Sequence, residues 1–448
     1  MTPFFSRLAL CSSVLFVTYA SATPVLQPGT IPAQTPPPAA TTAATRAAST
    51  APQPGKFMTL WLAVFKELHD KAGPQESWVP VFESPMSFTP ETTAQLKAVF
   101  GTEQPIHTER TPLAGGATSY VATLSGLDAV DSDGMHISFP AATLRARISA
   151  NKQNTVMNGY WPALTATSGP QISALLLRDM KFDSNFKIHK NAVPYGTTRT
   201  SLGRALIAPK DGGTLLFSDV SYTNDIVKTG KLDEVRYRVN IGNIQGSGKQ
   251  IDQFKLGLRL TNLDLASITE MSKAVAQSEG VTPQTLDPEH VSSIIRHVGI
   301  EVFRKGGTFI LDDLSASFRG YRAAIKGRMS FQGLSADDIS NPAAIVQKIL
   351  LKLEVRVPVP LIHAIGEEVA AEIAARQQTK GAPAPGKLID ETLAKLVKEG
   401  YIRIDKGVAQ ASVVMQNAKL TVGGKQLQVS PQATAVENQA QPESLPAQ

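Results

Sequence analysis

The sequence predicts an α+β fold: an extended, curved antiparallel sheet with helices packed on one face, these being inserted mainly in the C-terminal half. Three observations lead there. Apolar and polar residues alternate with period two in many segments, the pattern of a strand with one buried and one wet face. Such runs follow one another across short turn signals, which is hairpin and therefore antiparallel connectivity. Helical periodicity is restricted to a few segments, most of them from Ile268 onward.

In chain order, the first element is a targeting segment. Arg7 supplies a positive start, "LALCSSVLFVTYA" an apolar run, and Ala20-Ser21-Ala22 a small-x-small cleavage site, so residues 1–22 read as a signal peptide. The competing reading is an uncleaved inner-membrane anchor. The run is shorter than the ~20 residues a bilayer span requires, and it contains Ser12, Ser13 and Thr18. Residues 23–55 are mainly Pro, Ala and Thr with Arg46 as their one charge, a composition expected to form a disordered, semi-stiff tether. Residues 430–448 are similar and are expected to be a disordered tail. One folded domain is therefore placed at 56–429.

That domain opens on a helical stripe of Leu60, Trp61, Val64, Phe65 and Leu68. Strands are expected over 135–139, 144–148, 180–188, 215–222, 235–241 and 254–260, then helices over 268–277 and 291–302. The clearest hairpin is "FILDDLSASFRGYRAAIKGRMSF", residues 309–331, turning at Arg319-Gly320. Its first strand sets Leu314, Ala316 and Phe318 against Ser315, Ser317 and Arg319. Helices over 345–353, 361–375 and 388–397 follow, with the loop 379–387 between the last two, and strands over 408–415 and 419–422 close the domain.

Composition narrows the chemistry. Of 448 residues 42% are apolar and 18% charged, a globular make-up. The one cysteine, Cys11, lies in the leader, so the mature chain is expected to have no disulfide and no thiolate ligand for zinc. Loss of Arg7 with the leader leaves 43 basic against 38 acidic residues, too small an excess to indicate nucleic acid.

Catalytic motifs do not emerge. There is no G-x-S-x-G elbow, and "GNIQGSGKQ", residues 242–250, has one residue too many for a P-loop and Gln250 where Ser or Thr must hold magnesium; a glycine-rich turn explains it. His290, His297 and Glu301 fall near one helical stripe but lack the tighter spacing of a metal site. The remaining histidines, His69, His107, His136, His189 and His363, are scattered singly. The acidic pairs Asp312-Asp313, Asp337-Asp338 and Glu367-Glu368 read as strand-start, helix-entry and exposed-face residues. Trp78, Phe88, Tyr160 and Trp161 read as core in preference to cleft rim.

Two patterns bear on binding. Lys181, Lys187, Arg236, Arg238, Lys255, Arg259, Arg319, Arg322, Lys326 and Arg328 all project from the polar sides of expected strands. They form either a solvated sheet face or a positive surface for anionic lipid head groups or another acidic polymer. On the apolar sides, Phe254, Leu256, Leu258, Leu260, Phe318 and Ile325 are expected to line a groove.

The segment "LAKLVKEGYIRIDKGVAQASVVMQNAKLTVGGKQL", residues 393–427, resembles the closing segment of the YdgA-like family of bacterial envelope proteins. Gly423 stands where that family's ending usually has asparagine. "FKLGLRLTNLDLASITEM" and "LEVRVPVPLI" resemble further family segments, extending the likeness over about residues 170–427. The resemblance implies an envelope-facing protein with no assigned catalytic residues and with long amphipathic sheets similar to those of AsmA-like proteins linked to lipid handling. The expected function is thus non-enzymatic and cofactor-free: an exported, periplasmic protein holding lipid or acyl chains in its sheet groove. A protein-interaction module of the envelope is the alternative, and a hydrolase with a site assembled from distant residues comes after it.

Overall fold

The structure is a computed structural model that describes residues 56–427 apart from 73–81, 83–86, 132–133, 170–171, 189–193, 211, 267, 269–301, 336, 339–340 and 378–384. The expected signal peptide, tether and tail therefore lie outside the described residues, as do most of the helices expected over 268–277 and 291–302. The described residues build a large antiparallel sheet of eighteen strands. They divide into two compact units, the second comprising Lys228–Arg238, Ile251–Asp264 and the chain from Leu286 onward.

The first unit begins with helix α1, Lys56–Ala72, and helix α2, Pro90–Phe100. Thr89 caps α2 by accepting from the Thr92 N–H, Pro90 takes the first turn, and Gly101 ends the helix at φ 71°. Thr89 also donates its hydroxyl to Glu67 of α1 at 2.7 Å, tying the two helices together. Strands β1 (Ile106–Pro112), β2 (Thr118–Leu124), β3 (Leu127–Val130), β4 (His136–Phe139), β5 (Ala142–Ile148), β6 (Asn154–Thr167), β7 (Ile172–Ile188), β8 (Pro194–Pro209) and β9 (Leu215–Thr229) follow. β1 pairs with β2, β2 with β5, β5 and β4 with β6, β6 with β7, β7 with β8, and β8 with β9, all antiparallel.

The main core of this unit lies between α1 and the sheet. Phe57, Leu60, Trp61 and Val64 meet Leu127, Ile137, Phe139, Leu177 and Ile207, all buried. Trp61 and Phe139 both set their rings edge-on to Trp161, at 6.2 and 5.1 Å between centroids. The alternation slips within the long strands. Odd residues Leu175 and Leu177 of β7, then even residue Met180, join the same core. Between them Asp179 adopts φ 56°, and Asp219 of β9 adopts φ 53°. Opposite these acids sit Gly203 of β8 and Gly242 of the next strand, where an added Cβ would lie 3.1 and 3.0 Å from the respective Asp Cβ. Each positive-φ aspartate rests in the space its neighbouring glycine leaves, so the strands change phase in step.

Strand β10, Leu232–Gly246, is shared between the units, and β11, Lys249–Leu263, belongs to the second from Ile251 on. The second unit continues with β12 (Thr308–Phe318), β13 (Tyr321–Phe331), α3 (Pro342–Lys348), β14 (Ile349–Pro358), α4 (Val359–Gln377), α5 (Pro385–Lys398), β15 (Arg403–Asp405), β16 (Val408–Gln416), β17 (Lys419–Val422) and β18 (Lys425–Gln426). Its strands form the antiparallel ladder β11–β12–β13–β14–β16–β17. The α4–α5 pair is inserted between the neighbours β14 and β16, and α4 falls back on β13 and β14. Gly423, where the resemblance expects asparagine, has φ 60° with the Gly400 carbonyl pressed against it, so no side chain fits.

Three expectations are corrected. Helices are not gathered in the C-terminal half, because α1 and α2 precede every strand. Nor do they share one face of one domain, since α1 packs in the first unit and α4 and α5 in the second. The helix expected over 345–353 stops at Lys348, because Leu351, Leu353 and Val355 alternate with Lys352, Glu354 and Arg356 and pair along β13 as a strand.

Candidate functional site

Register turns the alternating segments of the second unit into rows. Leu256 of β11 stands opposite Leu314 of β12, Leu314 opposite Ile325 of β13, Ile325 opposite Val355 of β14, and Val355 opposite Ala411 of β16. A second row runs Leu258, Leu311, Gly327, Leu353, Val413, and a third Leu260, Phe309, Met329, Leu351, Met415. Directly opposed residues project to one side of a sheet, so the three rows form one apolar face. A bulge at Asp312 and Asp313 keeps Leu311 and Leu314 in phase despite their odd separation.

These row residues, Gly327 included, are half-buried without being sealed. Gly327 belongs to the same face: a Cβ there would run into Leu353, whose side chain fills the place, and into the backbone beneath it. Cover comes at the β14–β16 end, where α4 and α5 arch over the sheet. Under them lies a cavity of 440 Å³, lined by Val355, Val357, Ile362, Ile389, Leu393, Leu396 and their neighbours, almost wholly apolar. That volume falls within the range of about 300–1,000 Å³ typical of small-molecule sites.

The six residues expected to line a groove are placed as follows. Leu256, Leu258, Leu260 and Ile325 lie in the rows. Phe318 stands opposite Tyr321 at the hairpin end, and Phe254 sits beside the register shift at Gln253, whose φ is 51°. None of the six lines the cavity. The cavity wall comes from the apolar stripe Ile389, Leu393, Leu396 of α5, legible as helix periodicity, and from β14, whose first half falls within the helix expected over 345–353.

The polar face of this unit also resolves residue by residue. Asp312 holds Arg259 in a two-pronged contact at 2.6 and 2.7 Å, a hydrogen bond that raises the guanidinium pKa. Asp313 accepts from Arg322 at 3.0 Å, and Arg319 reaches Glu368 at 2.7 Å. Asp338, at the entry to α3, accepts from Lys348 and Ser335. These contacts, Lys348 first, hold its carboxyl down at about 2. Asp312, Asp313, Asp338 and Glu368 thus each hold a cation of the same unit. Lys181 and Lys187 lie on β7 in the first unit, whereas the other eight strand cations belong to the second.

"GNIQGSGKQ" is a tight turn with Ser247 at φ 51° and Gly248 at φ 75°. Trp161 sits in the first unit's core with Phe88 packed against it, whereas Tyr160 is exposed. His136 bonds Asp128 in the hairpin β3–β4, and His363 of α4 meets Asp390 of α5 at 3.0 Å. Trp78, His189, His290, His297 and Glu301 lie outside the described residues. Among the described residues no cluster of three metal-ligating side chains occurs, and no helix is long and apolar enough to cross a membrane.

The family model described as "Bacterial protein of unknown function (DUF945)" matches residues 81–430, and the chain belongs to that family. The match begins well before the segment in which the sequence resemblance was read. No curated protein matches the chain.

Proposed function

We propose that this member of a bacterial family binds an acyl chain, without acting on it chemically, in the cavity between α4–α5 and the β14–β16 ledge. The lining carries the reading: Val355, Val357, Ile362, Ile389, Leu393 and Leu396 make its wall almost entirely hydrocarbon. Each methylene moved from water into such a site is worth about 0.8 kcal/mol, so no polar anchor is needed for useful affinity. Val355 belongs both to the lining and to the row of Ile325, Leu314 and Leu256, which offers a longer chain further apolar surface. Export to the periplasm and kinship with YdgA-like and AsmA-like proteins belong to the same proposal. They rest on the leader read at residues 1–22 and on the segments quoted above.

Native mass spectrometry with lipid extraction on the full chain tests it. Fatty acid or phospholipid is expected at fixed stoichiometry, and Ala411→Phe, which sends a ring toward the cavity, is expected to abolish it. A clean apo mass together with no uptake of added palmitate sinks the reading. A protein-interaction role is then favoured by Ile365 and Val369, which lie one turn apart on α4 and are 47% and 49% exposed. Crosslinking that depends on those two residues is its signature.

A further inference from the structure

The polar face of the second unit carries positive charge that its own acids do not match. On β13 and β14 the cations Lys326, Arg328, Lys352 and Arg356 are exposed and alternate with the residues of the apolar rows. Arg328 stands directly opposite Lys352, an arrangement that costs an antiparallel pair stability. Glu354, opposite Lys326, lies 3.5 Å from Lys352. Lys326, Arg328 and Arg356 are left with no ion-pair partner among the described residues. Toward β12 the situation differs, because Arg259 and Arg322 are held by Asp312 and Asp313 of the bulge. The sequence joined Lys326 and Arg328 to this face. The β13–β14 register adds Lys352 and Arg356 to it.

We propose that this basic face of the second unit seats the protein on an anionic lipid bilayer. Side chains on neighbouring strands project in parallel, about 5 Å apart across the ladder and about 7 Å apart along it. Such an array meets a plane of phosphates. A single soluble anion is better held by donors that converge, and these do not. The residues opposite these cations, Ile310, Ala324, Glu354, Gln410 and Val414, include no aromatic ring on which nucleic-acid bases stack, which weighs against a single-stranded polyanion. Membrane seating goes beyond acyl binding and stands apart from it, since the cavity lies against the opposite face of the same strands.

Co-sedimentation of the full chain with vesicles tests the inference. Binding is expected to vesicles of equimolar phosphatidylglycerol and phosphatidylcholine, to be absent with phosphatidylcholine alone, and to fall as sodium chloride rises. The variant K326Q/R328Q/R356Q is expected to partition about a hundredfold less, at about fivefold per charge. K387Q/K395Q/K398Q, which removes the same charge from exposed positions on α5, is expected to stay within about threefold of the parent. Arg328→Gln alone relieves the repulsion with Lys352, so it is expected to fold at least as stably while binding about fivefold less. Equal binding to neutral vesicles overturns the proposal, as does equal loss in the two triple variants. Retention on duplex DNA with no vesicle binding also overturns it.

Discussion

Under α1 the first unit seals part of its apolar sheet face: Phe57, Leu60, Trp61 and Val64 are all buried against Leu177, Ala205 and Ile207, while Leu202, Leu215 and Phe217 stay half-buried. The second covers a comparable face with α4 and α5 and leaves Leu311, Leu314, Ile325 and Leu353 half-buried beside a cavity. The strands alternate in the same way in both, so the difference lies in the covering helices. Helix α1 brings Phe, Trp and Leu to the sheet, and two of its rings pack against Trp161 or Phe139. Helix α4, "VPLIHAIGEEVAAEIAARQ", offers Ala364 and Gly366 among its larger residues, and Ile389 of α5 closes on Gly366. Small residues let two helices approach each other but do not fill the space beneath them. A sheet of one pattern is thus sealed or left open by the size of the side chains that come down on it.

Four measurements test that contrast. Truncating the closed side is expected to cost most: Trp61→Ala should lower stability by about 3–5 kcal/mol, read from guanidinium denaturation, because a packed aromatic leaves a void its neighbours cannot fill. A transition unchanged by that substitution would show that α1 is not what seals the first unit. On the open side, Gly327→Ala is expected to cost about 1–3 kcal/mol, since its methyl group meets Leu353 and the backbone beneath.

The sharpest comparison adds bulk to each face in turn. Ala166→Leu, in the sealed core, is expected to destabilise by about 1–3 kcal/mol. Ala411→Leu, on the cavity wall, is expected to be neutral or to stabilise by up to about 1 kcal/mol. Equal costs at the two sites would mean that the cavity is not available space.

The smallest effect is electrostatic and belongs to the second unit. Asp338 is held at about 2 against an ordinary 3.8. The unfolded chain therefore takes up this proton first as the solution is acidified. The contribution is complete above about pH 4 and fades as pH falls through about 2. Asp338→Asn is expected to be less stable than the parent at neutral pH and to converge with it near pH 2, measured as urea midpoints at the two pH values. A gap that persists undiminished at low pH would assign the effect to packing.

Much of the sheet could be read from the residues. The 309–331 hairpin turns at Arg319 and Gly320, which adopt φ 50° and 82°, and its two strands pair as their alternation requires. The strands expected over 135–139, 144–148, 215–222, 408–415 and 419–422 are present. β6 and β8 escaped notice because "NTVMNGYWPALTAT" and "PYGTTRTSLGRALIAP" are rich in Thr and Gly and carry few alternating apolar residues. Helix α2 escaped through weak periodicity, although Thr89-Pro90 and Gly101 marked both its ends.

The candidate site was half legible. Leu256, Leu258, Leu260 and Ile325 were recognisable as one face, but not the cavity, whose wall joins residues of β14, α4, α5 and β16.

Local pattern was enough for the alternating strands, the 309–331 hairpin and the helices at 60–68, 361–375 and 388–397, because each depends on neighbours a few residues apart. Tertiary structure alone decided which strands stand side by side. The β13–β14 register set Arg328 against Lys352, the β14–β16 pairing carried the Ile325 row on to Ala411, and the side-chain volumes of α4 and α5 left space above it. Cross-strand register and the fit of a helix over a sheet depend on contacts between distant segments, and local periodicity carries no information about which segment arrives.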